Sequence, residues 1–396
     1  MAGFRIVAAF HSLFACNVVD NVRSEDVTEV TTHVIPSVYV TYIGVSGLLF
    51  SGLLMSVLKK LVELALNTSR KYMLYTLFQL FFLVFTALTG IVNCALAFLY
   101  SSSYLKLIRA CTIIEERIPM LPKEHTAAVR YAYKMIAWQI FASSWSLYFN
   151  TAGGLDIIEL PEQAKSSGFL QSLIQALKCH SILLSSVWSM IPCFWMAYFA
   201  RTFRCYVRAI SHQLDACLRS SDISPERKSR QVDTLRQELE RVKAASGIAS
   251  RIVSPGFTAK LYLNMVNLSI AVHCASTGTM LTTRVRTFFT GWVIIQIVSL
   301  AWPVLAWQRI SNEVARLRYN AQNFQLLHSA PTILSEHVLM FLHSAENGCF
   351  KNAFGGFIAI RPSLVATVLA AVAAYTVLLR QTTGVFTSSV KPECAP

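Results

Sequence analysis

The stretch GCFKNAFGGFIAIRPSLVATVLAAVAAYTVLLRQ, Gly348–Gln381, decides how the rest of the chain is read. It passes from an amphipathic lead-in through Gly355-Gly356-Phe357 to Arg361-Pro362, then into an alanine-rich span that ends at Tyr375 and Gln381. Proline starts a helix at no cost in hydrogen bonds, because the N–H it lacks belongs to the unpaired first turn. A run of about twenty apolar residues is enough to cross a bilayer core. On a helical wheel Ala366, Ala370, Ala373, Val377 and Gln381 share one face. Small residues four apart let membrane helices approach closely. Tyr375 points to the other side, toward a neighbouring helix. Two readings fit this pattern. In one, copies of the helix surround an aqueous path, with Ala370 and Ala373 along it and Val377 and Gln381 as gate and filter. In the other, an alanine-rich span lies buried within its own subunit.

Composition supports a membrane protein. The 396 residues are 54% apolar and only 14% charged, where a soluble chain of this size keeps roughly a quarter charged. Six further apolar windows precede the terminal span at Ser363–Arg380: Val38–Leu58, Met73–Tyr100, Tyr131–Asn150, Ser172–Ala200, Thr258–Thr282 and Thr287–Trp307. The net charge of +14 does not call for nucleic acid, because no binding motif accompanies it. It is concentrated by topology instead. The N-terminal region and the loops after spans 2, 4 and 6 carry 23 of the Lys and Arg residues, and the alternate loops carry far fewer. Positive loops stay in the cytosol. The expected fold is therefore an all-α membrane protein of seven transmembrane helices, N-terminus cytosolic and C-terminus extracellular. Its divisions are a cytosolic segment (1–37), spans 1–4 (38–200), a cytosolic helical insertion (201–257), spans 5–6 (258–307), cytosolic amphipathic helices (308–361), the last helix (362–381) and an extracellular tail (382–396). Asn67-Thr68-Ser69 is a glycosylation sequon in a loop this topology puts outside. Receptors that couple to G proteins have the opposite orientation, and neither Asp-Arg-Tyr after span 3 nor Asn-Pro-x2-Tyr in span 7 is present.

The insertion is expected to be helical rather than disordered. Val232, Leu235, Leu239 and Val242 recur at spacings of three and four, after the start signal Ser224-Pro225-Glu226. Glu226/Arg230 and Arg236/Glu240 are spaced as i,i+4 ion pairs. Val314, Leu317, Ala321 and Phe324 form a similar stripe after span 6. Spans 4, 5 and 6 thus continue beyond the bilayer and pack there as a bundle. The N-terminal run Phe4–Cys16 reads either as a short cytosolic or interfacial helix or as a signal segment.

No metal-ligand spacing, phosphate loop or nucleophile motif points to an enzyme, and no cofactor or metal is expected. The ten cysteines are scattered with no Cys-x2-Cys pair. The outer halves of the spans hold aromatic and polar residues suited to a small-molecule pocket: Gln79, Trp145, Tyr148, His180, His273, Thr277, Trp292 and Gln296. Ordinary roles in the interfacial belt and in helix–helix hydrogen bonding account for the same residues. Pro192 and Pro303 fall inside spans 4 and 6 and should kink them.

The residues Phe354-Gly355-Gly356-Phe357-Ile358 and Ala374-Tyr375-Thr376-Val377-Leu378-Leu379-Arg380-Gln381-Thr382 resemble the C-terminal signature of the arthropod gustatory receptors, relatives of the insect odorant receptors. That signature reads roughly Thr-Tyr-(five apolar)-Gln-Phe after a Gly-Phe-Phe-like segment. Tyr375 and Gln381 match; Ala374, Arg380 and Thr382 depart from it. The resemblance implies a tetrameric ligand-gated, non-selective cation channel in the plasma membrane of sensory neurons, opened by a small tastant and assembled with itself or with related receptors. It also implies that the cytosolic helices form an anchor bundle and that the last helix lines the pore. Two alternatives are a secondary transporter with a mid-membrane substrate site and a non-conducting partner subunit of a mixed gustatory channel.

Overall fold

The computed structural model describes residues 2–12, 19–20, 31–32, 88–89, 92–93, 95–96, 99–151, 168–276, 283–327, 332–346, 353–354, 358–359 and 362–388. Among the described residues eight helices carry the fold: α1 (Ala2–Ser12), α2 (Ser101–Arg117), α3 (Pro122–Thr151), α4 (Gly168–Arg219), α5 (Pro225–Ser276), α6 (Thr283–Leu327), α7 (Thr332–Glu346) and α8 (Pro362–Ser388). The extended pairs among the described residues are two-residue ladders, Val19–Asp20 against Thr31–Thr32 and Ala353–Phe354 against Ile358–Ala359. The second brackets the Gly355-Gly356-Phe357 stretch just before α8.

Two rods of 52 residues, α4 and α5, form the spine. Each runs about 78 Å, more than twice the hydrocarbon thickness. They form an antiparallel hairpin: near its turn the Lys228 ammonium donates to the Leu218 carbonyl at 3.3 Å. Pro225 opens α5 and Glu226 follows in its first turn, as Ser224-Pro225-Glu226 predicts. Val232, Leu235, Leu239 and Val242 are buried, so the expected seam is the inner face of this hairpin. Leu317 and Ala321 of α6 are buried alongside, with Val314 and Phe324 packed on them. Arg236 turns to Asp233 at 2.8 Å, one turn back, whereas Glu240 accepts from Lys243 at 3.0 Å.

Two helical features depart from expectation. Ser101–Arg117 is helix α2 rather than loop: Tyr104, Leu107, Ile108, Cys111 and Ile114 recur at helical spacing, and all are buried. Helix α8 continues to Ser388, beyond the expected end at Gln381. Among the described residues two helical segments are long and apolar enough to cross a membrane, Arg286–Phe324 and Pro362–Gln381. The spans expected at Val38–Leu58 and over most of Met73–Tyr100 lie outside the described residues.

The core is aromatic where α1 meets the bundle. The Phe4 ring lies 5.3 Å from Trp195 and 6.3 Å from Tyr198, and Trp195 stacks on Phe199 at 5.5 Å. Helix α1 is thus seated by Phe4, Val7 and Ala8, all buried.

Candidate functional site

Helix α8 touches its own protomer along one narrow stripe. Val368, Val372 and Thr376 are buried against α5 and α6. The Thr376 hydroxyl satisfies itself on the Val372 carbonyl at 2.7 Å, so its burial leaves no open donor. Ala366, Ala370, Ala373, Val377 and Gln381 are all exposed. They lie on the face opposite the stripe, which is where the sequence pattern groups them. Only 17% of the apolar window Pro362–Gln381 is buried. Tyr375 is 56% exposed and makes no hydrogen bond to the described residues. Arg380 is held at the end of α5, where its guanidinium reaches the Ser276 carbonyl at 3.5 Å. A cation there meets the negative end of the α5 dipole.

The candidate ligand residues separate into distinct environments. Trp145 of α3 lies on Gly291 of α6 and donates from Nε1 to the Phe288 carbonyl at 3.4 Å. Trp292, one turn on from Phe288, is buried and stacks on it at 6.1 Å. Gln296 follows one turn later, also buried, and its Oε1 has no hydrogen-bond donor. Trp145, Trp292 and Gln296 therefore gather at the α3–α6 contact. His273 is buried on α5, and Tyr148 is 61% exposed on α3. The His180 side chain, Gln79, Thr277 and Asn67 lie outside the described residues.

Below this level the α3–α6 contact continues through polar pairs. Trp138 donates to the Ser299 hydroxyl at 3.2 Å, and Trp302 donates to the Tyr131 hydroxyl at 2.6 Å. A small interior cavity of about 10 Å³ opens between Trp138, Cys193, Ser299 and Pro303. That is the size of a single water. A larger groove of about 470 Å³ lies between α5 and α7, lined by Arg236, Glu240, Leu339, Met340, His343 and Ser344. Neither cavity is lined by a residue that the sequence pattern nominated for a ligand pocket.

The proline inside α4 shows how the spine is held. Pro192 cannot donate to the Trp188 carbonyl one turn back. The Asn93 amide does so instead, at 3.2 Å. Gln139 of α3 donates to the neighbouring Val187 carbonyl at 3.2 Å. Gly256 of α5 meets Pro192 here: a Cβ on it would stand 2.9 Å from both the proline ring and Asn93 Oδ1.

A cluster of ion pairs, absent from the sequence reading, joins three helices at the start of the α4–α5 extension. Glu124 of α3 takes Arg201 at 2.9 Å and Arg208 at 2.7 Å; Glu313 of α6 takes Arg204 at 2.8 Å and Arg208 at 2.6 Å. Burial raises both glutamates. The hydrogen bond from Arg208, helped at Glu124 by the Arg201 charge and at Glu313 by Arg204, outweighs it and holds each below its usual range. Spacing Arg201, Arg204 and Arg208 on one face of α4 was a visible signal; their distant acids were not.

No family model matches the chain, and no curated protein matches it. Among solved structures it is similar to the insect olfactory receptor OR5 from Machilis hrabei, with a TM-score of 0.60 and 11% identity over 87% of this chain and 89% of that one. The same receptor in complex with eugenol matches with a TM-score of 0.58 and 13% identity over 87% and 90%. The chain has the fold of an insect olfactory receptor, in line with the kinship that Tyr375 and Gln381 suggest.

Proposed function

We propose that this chain is one protomer of a chemosensory, ligand-gated cation channel of the gustatory type, with α8 lining a shared central pore. The observation that carries this reading is the seating of α8. An apolar helix that keeps its small-residue face off its own bundle is suited to meet copies of itself. Four copies around an axis bring Ala370 and Ala373 to the lumen, followed by a ring of Val377 and a ring of Gln381. The fold shared with an olfactory receptor, one form of which holds eugenol, supports a small-molecule ligand. The pocket then lies in the outer half of each bundle, around Trp145, Trp292 and Gln296. Seven spans bring the N-terminus to the cytosol and the C-terminus outside, in the plasma membrane of a sensory cell.

The test is permeation. Val377→Ala and Gln381→Leu, expressed in cells under patch clamp with a panel of sugars, bitter compounds and amino acids, should alter conductance or ion selectivity at unchanged surface expression. Unchanged currents in both variants refute the pore assignment. A tag after Pro396 should be reached by antibody on intact cells.

A further inference from the structure

Helices α3 and α6 are uncharged over matching lengths. No charged residue falls between Met135 and Thr151 of α3 or between Thr287 and Gln308 of α6. The α6 stretch rises about 33 Å, close to the thickness of a hydrocarbon core. Two indole bonds set the stretches side by side: Trp145 reaches the Phe288 carbonyl near one end, and Trp302 reaches the Tyr131 hydroxyl near the other. At the Tyr131 end the uncharged stretches stop at Arg130 and Lys134 of α3 and at Arg309 of α6, all three exposed. Arg130 and Lys134, four apart, share one face of α3. The Arg309 charge acts across the helix contact on Tyr131. Among the described residues none of the three cations has a carboxylate partner. The acids nearest to them in sequence, Glu124 and Glu313, are taken by Arg201, Arg204 and Arg208. Beyond Lys134 the same side of α3 turns apolar: Ala137 is exposed one turn on, and Phe141, 49% exposed, two turns on. Tyr133, 57% exposed, sits at the border. Amphipathic rings favour that level of a bilayer.

We propose that the α3–α6 edge is a docking surface for an anionic phospholipid, whose headgroup meets Arg130, Lys134 and Arg309 and whose acyl chains lie along Ala137 and Phe141. Arginine supplies the planar fork that suits phosphate oxygens, and lysine a mobile point charge. A soluble anion would use the cations and leave the apolar face bare; a phospholipid matches both. The inference rests on reading α3 and α6 as spans with this end in the cytosol, where the facing leaflet carries anionic lipid. It does not depend on the pore assignment.

The experiment uses the full chain purified in detergent. Thermal unfolding is followed while phosphatidylserine or phosphatidylcholine is titrated into the micelles. Phosphatidylserine should raise the unfolding temperature along a saturating curve, as expected for a ligand that binds the folded state alone, and phosphatidylcholine should raise it less. The triple variant Arg130→Gln, Lys134→Gln, Arg309→Gln should bring the phosphatidylserine curve down onto the phosphatidylcholine curve. If the triple variant does not fold, Arg309→Gln alone should move the midpoint to higher phosphatidylserine. Arg227→Gln with Arg230→Gln removes two exposed cations at the α4–α5 turn and should leave the curve in place. Equal curves for the two lipids, a phosphatidylserine rise that survives these changes at Arg130, Lys134 and Arg309, an equal loss in the Arg227/Arg230 variant, or the same rise from inorganic phosphate overturns the proposal. A rise with neither lipid overturns the span reading with it. No current is measured, so these outcomes are separate from the test of the pore.

Discussion

Gly291 shows how a single residue decides whether two helices meet. A Cβ placed there would stand 2.0 Å from the ring of Trp145. The indole cannot swing away without giving up its bond to the Phe288 carbonyl. Gly291→Ala is therefore expected to destabilise the α3–α6 contact by about 1–3 kcal/mol, as overpacking does, and thermal unfolding of the purified variant checks it. Residue roles were legible to unequal degrees. Apolar spacing grouped Ala370 and Val377 on one face of α8 without saying which face is seated; both are exposed where Val368 and Val372 are buried. The role of Trp145 was not legible. A tryptophan near a span end satisfies pocket, belt and packing equally well, and the glycine that receives its ring lies 146 positions away.

At the scale of the element, the proline in α4 and the asparagine that serves it form a testable unit. Asn93→Ala leaves the Trp188 carbonyl without a donor, whereas Pro192→Ala restores a backbone N–H to it. The two changes should couple: Asn93→Ala is expected to cost about 1 kcal/mol less in the Pro192→Ala background than alone, measured as a double-mutant cycle of unfolding temperatures. Helices whose stripes run unbroken, such as the seam from Val232 to Val242, were readable from spacing. Helix α2 was overlooked because Lys106, Arg109 and Arg117 dominate its composition, although Tyr104 to Ile114 carry the buried period. Pro255-Gly256 lies inside α5 and does not end it. Local breakers outweigh local pattern in a sequence, whereas packing against Pro192 outweighs the breakers in the folded chain.

Across the whole molecule, the Glu124–Arg208–Glu313 cluster ties α3, α4 and α6 together far from any span pattern, through partners 84 and 105 positions apart. Both carboxyls sit below their ordinary value of 4.5 in the folded chain. The unfolded chain binds protons first as pH drops, so this contribution is complete above the ordinary glutamate range and disappears as pH falls through it and below. Acid titration of the purified protein should lower the unfolding temperature from about pH 5 downward. Glu313→Gln should flatten that slope.

Pro192, Pro255 and Pro303 interrupt the three longest helices. Gly256 abuts Pro192, and Cys193 shares a cavity wall with Pro303, so all three interruptions fall in one transverse layer. Each rod loses a backbone hydrogen bond at that level and keeps its full ladder above and below. Bending stiffness is lowest where the weak points coincide, so a tilt imposed on one half is absorbed there and the other half swings as a stiff block. The bundle is jointed like a wrist, with the Arg208 clasp on one side of the joint and Trp145 and Trp292 on the other.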